Sequence, residues 1–129
     1  MFKKELVVKD IADGRRLIQA LDVAGIQITT AFWWFDREIE RWKLVISSPK
    51  LAETYSTAAY GLIQRVMMGM RPATDIRLDE IVLEDSQSAI VDSIRHVVKT
   101  GPDDLSEIRI SSSTIGDLWV EDARVYRAA

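Results

Sequence analysis

The chain predicts an α+β protein: a two-layer sandwich in which a five-stranded, mostly antiparallel sheet carries three helices on one face, in the order α-β-β-α-β-α-β-β. Three observations point to it. Residues 26–47 and 107–126 each alternate apolar and polar side chains on either side of a turn. Three other stretches repeat apolar residues at helical spacing with one polar face, and such helices need an apolar surface to cover. The whole chain of 129 residues fits one domain, 1–129, large enough to bury about two thirds of the surface its unfolded form exposes.

A first helix is expected over 10–24. Asp10 can cap it, Asp13 stands where a capping box places an acid, and Gly25 suits the left-handed stop. Ile11, Leu17, Ala20, Leu21 and Ala24 would form its buried stripe. The segment 2–8 before it, Phe2 to Val8, reads equally as an edge strand or as an extension of the helix.

The stretch 31–46, AFWWFDREIERWKLVI, holds three of the four tryptophans. A five-residue loop, 36–40, would pair Phe35 with Arg41, Trp34 with Trp42 and Trp33 with Lys43. One face then carries Trp34, Trp42, Phe32 and Leu44 as core, and slipping the register by one would set Trp34 against Lys43 and bury a cation. The other face carries Trp33, Phe35, Arg41 and Lys43.

A second helix is expected from Ser48, with Pro49 in its first turn and Gly69 and Pro72 at its end. Its apolar positions are Leu51, Tyr55, Ala58, Leu62, Val66 and Met70, and Met67, Met68 and Met70 read as core filler. A strand centred on Ile81, Val82 and Leu83 follows. The third helix is capped by Asp85 or Ser86, buries Ile90, Ile94, Val97 and Val98, and ends at Gly101 and Pro102. The last hairpin, 107–113 and 117–126, would turn through Thr114, Ile115 and Gly116, pairing Ile110 with Val120, Ser111 with Trp119 and Arg109 with Glu121, with a bulge near Asp122. Residues 10–47 and 86–126 share a helix-then-hairpin pattern, without enough identity to distinguish duplication from convergence.

Composition narrows the chemistry. The chain has 17 basic and 20 acidic residues, a net charge of -3 and no cysteine, which removes disulfides, thiolate metal sites and cysteine nucleophiles and disfavours wholesale phosphate binding. The start lacks the apolar run of a signal peptide, and no stretch approaches the ~20 apolar residues of a membrane span, so a cytoplasmic protein with no membrane association is expected. The single histidine, His96, falls on the polar side of its helix one turn after Asp92. No phosphate loop, dinucleotide fingerprint or nucleophile elbow occurs. Asp75, Asp79, Glu80, Glu84 and Asp85, and separately Glu121 with Asp122, are the carboxylates that could converge on Mg²⁺. Acids also simply keep strand ends solvated and favour helix starts.

No catalytic residue, metal site or cofactor is therefore assigned. The functional weight falls on the sheet face that Trp33, Phe35, Arg41, Lys43, Arg109 and Trp119 would share. Two tryptophans in water forfeit roughly 5 kcal/mol each at ~25 cal/mol per Å². A noncatalytic protein–protein interaction module is the expected function, an adaptor, inhibitor or immunity-type protein that docks a partner or forms a homo-oligomer through this face. Single-stranded nucleic-acid binding on the same face is the alternative, with aromatics stacking bases and cations meeting phosphates. A small metal-dependent hydrolase using the carboxylates is the second.

Overall fold

In a computed structural model, which describes residues 5–129, the elements follow the expected order: α1 (Val8–Val23), β1 (Thr30–Asp36), β2 (Arg41–Ser47), a short α2 (Pro49–Ala52), α3 (Ser56–Gly69), β3 (Ile81–Leu83), α4 (Ala89–Val97), β4 (Ile108–Ile115) and β5 (Leu118–Ala128). They build one five-stranded sheet in the order β3-β2-β1-β5-β4. Only the β2–β3 pair is parallel. The α+β class thus stands. Part of the ambiguous segment 2–8 lies outside the described residues; residues 5–7 have no regular structure and α1 begins at Val8.

The helices do not all lie on one face. Ile11, Leu17, Ile18 and Leu21 of α1 and Ala59 and Ile63 of α3 pack with Trp33, Phe35, Trp42, Leu44 and Ile46. Val91 and Ile94 of α4, with Val98, pack instead with Phe32, Val45 and Val125. Because side chains alternate along a strand, Phe32 and Trp33 belong to opposite faces, and the sheet is covered on both. The apolar surface available on the second face is what the sequence reading missed.

The first hairpin also sits one step out of the expected register. Asp36 pairs with Arg41, Phe35 with Trp42, Trp34 with Lys43 and Trp33 with Leu44. Asp36 causes this. Its Oδ1 accepts the Glu38 N–H at 3.0 Å and its Oδ2 takes the Lys43 ammonium at 2.9 Å, so Asp36 closes the strand and the turn shrinks to residues 37–40. Glu40 supplies the left-handed residue of that turn, with φ 53. Trp34 does stand opposite Lys43, and no cation is buried, because the face they share is not closed over at this end.

The second helix is broken. Residues 53–55 separate α2 from α3, and the break rotates the stripe: Ala59 and Ile63 are buried, while Tyr55, expected inside, is 91% exposed. In α4, Ser88 accepts the Val91 N–H as cap at 3.3 Å, and Val91 rather than Val97 is buried. The last hairpin turns through Gly116 and Asp117, pairing Ile110 with Ala123, Ser111 with Asp122 and Thr114 with Trp119. Gly116 has φ 59, so glycine does serve the turn, in a loop one residue shorter than expected.

The bulge expected near Asp122 is absent, since Ser111 pairs with Asp122 in regular register; the irregularity lies instead in the β1–β5 ladder. Ala31 pairs with Arg127 and Phe32 with Val125, leaving Tyr126 as the extra residue. Tyr126 and Arg127 consequently both reach α1. The Tyr126 hydroxyl donates to the Ile11 carbonyl and accepts the Trp33 indole N–H at 2.9 Å. The Arg127 guanidinium, 1% exposed, donates to both Asp22 carboxylate oxygens and to the Ile28 and Asp104 carbonyls, the full satisfaction a buried charge requires.

Candidate interaction site

The expected binding face is dispersed by these registers. Trp33 is 0% exposed and Phe35 4%, both under α1 and α3, so neither belongs to a contact surface; Trp33 is core and its neighbour Trp34 is the half-buried one, the reverse of the expected assignment. Arg109 stands in the cross-strand row of Arg124 and Trp33 and is bonded through Nη2 to Asp122 Oδ2 at 3.1 Å, not paired with Glu121. Arg41 is exposed at the start of β2. Lys43 and Trp119 remain on the α4 face, where Trp34 joins them.

That face is covered unevenly. α4 seals Phe32, Val45 and Val125 and reaches no further toward the first hairpin loop. Beyond it the β1–β5 pairing brings Trp34, Asp36, Arg37, Glu38, Trp119 and Glu121 around an open depression of about 500 Å³. Trp34 leans edge-on against Phe32, ring centroids 6.3 Å apart, which holds it upright at the margin of the α4 cluster. Trp119 is 42% exposed. Its indole N–H donates to Glu121 Oε2 at 3.0 Å, and Arg37 Nε lies 3.6 Å from the same oxygen, so one carboxylate orients both the ring and the loop. Lys43, bonded to Asp36, holds the Asp36 carboxyl below its ordinary value. Trp34, Asp36 and Arg37 are the residues of this candidate site that sequence reasoning missed; Glu121 was expected on the face of Trp119. The Asp36 turn was the signal that would have found them.

A second cleft, about 490 Å³, lies along the start of β2 beside the start of α1 and is lined by Trp42, Arg41, Asp10, Asp75, Asp79 and Glu80 among others. Several of its carboxylates are answered by cations. Lys9 pairs with Asp75, and Arg77 holds the Asp79 carboxyl below its ordinary value while its own backbone N–H donates to Glu80 Oε1. Glu84 and Asp85 line a different, smaller cleft beside Ser48, so the five acids do not meet. Among the described residues no three His, Asp or Glu side chains are placed to share a metal ion. His96 is exposed at the end of α4, its Nδ1 2.8 Å from the Asp92 carbonyl.

Protein-family models, curated proteins and solved structures were all compared with this chain, and none matches it. Among the described residues no helix is long and apolar enough to cross a membrane.

Proposed function

We propose that the chain is a noncatalytic protein–protein interaction module that docks another polypeptide through the uncovered part of its α4 face. Support comes from one arrangement above all: Trp34 and Trp119, distant in sequence, border a single depression that the fold's own helix stops short of covering. Indoles that keep a wet side are the side chains that most often anchor an interface, since they bury a large area at low entropic cost. The polar groups between them are already oriented by Glu121, so docking needs little ordering. A homo-oligomer built on the same patch, in the cytoplasm, is the simplest form of this reading.

The nucleic-acid alternative draws little support from the same residues. The stacking platform it needs loses Trp33 and Phe35 to the core, and the depression holds Asp36, Glu38 and Glu121 against Arg37, a balance that repels phosphate.

The test is size-exclusion chromatography with light scattering, before and after nuclease treatment, on wild type and on Trp119→Ser. An association that survives nuclease and disappears in Trp119→Ser, with unchanged circular dichroism, is the expected result. Wild type and variant that associate identically, or that are both strictly monomeric with nothing bound, would remove the proposal.

A further inference from the structure

Resting on that reading, we infer that the segment this face accepts is cationic, with an arginine or lysine side chain inserted between Trp34 and Trp119 above Glu121. Charge and the exposed indoles agree on this. The depression is lined by three carboxylates, Asp36, Glu38 and Glu121, and one guanidinium, Arg37. Lys43 answers Asp36 and Arg37 stands off Glu121 at 3.6 Å, whereas Glu38 has no hydrogen-bond or ion-pair partner for its side chain among the described residues. An arriving cation therefore meets one carboxylate already pointing at the Trp119 edge and another without a counter-charge. The faces of indoles attract cations, more strongly once water is excluded, and a guanidinium can stack flat on the ring while its N–H groups reach a carboxylate.

An acidic or phosphate-bearing partner would have to approach three carboxylates. A purely apolar one would leave Glu38 desolvated without a counter-charge, a cost that offsets the indole contact. The other cleft is the control. It too has an acidic excess, but its one aromatic, Trp42, is only 7% exposed, so it offers a cation no accessible ring.

The four indole N–H protons make this testable, because each reports one environment. A capped heptapeptide of alternating glycine and arginine is titrated into the ¹⁵N-labelled full chain, alongside the same peptide with glutamate and with leucine in place of arginine. The arginine peptide is expected to shift the Trp34 and Trp119 indole signals and leave Trp33 and Trp42 in place, with affinity falling about tenfold in Glu38→Gln/Glu121→Gln or on raising salt from low to ~0.3 M. Trp119→Ser is expected to abolish the Trp34 shift while retaining the folded spectrum. Three results would overturn the proposal. The arginine peptide shifting Trp42 alone would place cation binding in the other cleft. The leucine or glutamate peptide, or dilution of the protein itself, shifting Trp34 and Trp119 while the arginine peptide does not would leave the docking face standing with a different occupant. No peptide and no change in protein concentration moving either signal would end both this inference and the function on which it rests.

Discussion

Trp33 and Trp34 are successive residues separated by the thickness of a sheet, and the difference in their surroundings comes down to helix length. On the Trp33 side α1 and α3 supply 16 and 14 residues, enough to span the strands they cover. On the Trp34 side α4 supplies nine, a rod of about 14 Å, against a β1 of seven residues that extends about 23 Å. One face is closed over its tryptophan and fixes it with a hydrogen bond to Tyr126. The other is closed over Phe32 and open over Trp34 and Trp119. A short helix is thus enough to leave part of a sheet face open without any change in the strands beneath.

The largest expected effect tests this contrast directly. Trp33→Ala should destabilise the fold by ~3 to 5 kcal/mol in denaturant unfolding, and Trp34→Ala by about half as much or less, since only part of its ring is packed. Equal losses would mean that the α4 face is as closed as its opposite.

Next in size is a glycine pair. A Cβ at Gly14 would stand 2.3 Å from the Tyr126 hydroxyl and 2.8 Å from the Trp33 indole nitrogen, whereas at Gly61 nothing lies within 4 Å. Gly14→Ala should therefore cost ~1 to 3 kcal/mol or more by overpacking, and Gly61→Ala in α3 should gain ~0.5 to 1 kcal/mol. A neutral Gly14→Ala in thermal melts would show that α1 does not rest this tightly on the sheet.

Tyr126→Phe should cost ~1 to 2 kcal/mol near neutral pH, because it leaves the Ile11 carbonyl and the Trp33 N–H without their partner. It should also change the alkaline limb. Burial raises the Tyr126 phenol above its ordinary value of 10.0, so above that pH the unfolded chain releases a proton that the native one retains, and stability falls as pH rises. Wild type should lose stability above that value more steeply than Tyr126→Phe, measured by urea midpoints across the range.

The smallest effect belongs to the turn. Asp36→Asn should cost under ~1 kcal/mol, as expected for a part-exposed pair. Since Lys43 depresses the Asp36 carboxyl below its ordinary 3.8, that contribution should be present above this value and vanish as pH falls through the depressed one. A loss of several kcal/mol would mean that the hairpin register depends on this pair alone.

Element types and their order were legible because they depend on local periodicity, caps and glycines: Pro49, Gly25, Gly116 and the Ile81–Leu83 run each mark what they appear to mark. Register and face were not legible, because they depend on single residues acting against their statistics. Glu40 adopts a left-handed conformation that favours glycine or asparagine, and the break at 53–55 has neither proline nor glycine to announce it. The candidate site inherited both errors. Lys43, Trp119 and Glu121 do share a face, whereas Trp33 and Trp34 were exchanged by one step of register, and Asp36 was read as part of a solvated loop rather than as the end of β1.

The position of β5 has a kinetic consequence. The strand at the middle of the sheet, β1, takes one neighbour from an adjacent hairpin and the other from the far end of the described chain, so that the Trp33–Tyr126 bond closes a loop of 93 residues. Long loops close slowly relative to hairpins, and contact order rather than stability sets the pace. Until β5 arrives, a two-stranded ribbon bearing three tryptophans has an unpaired edge in water, the condition in which hydrophobic strands find the wrong partner. Refolding yield should therefore fall with protein concentration well before native stability does, and any variant that delays β5 should aggregate without being intrinsically less stable.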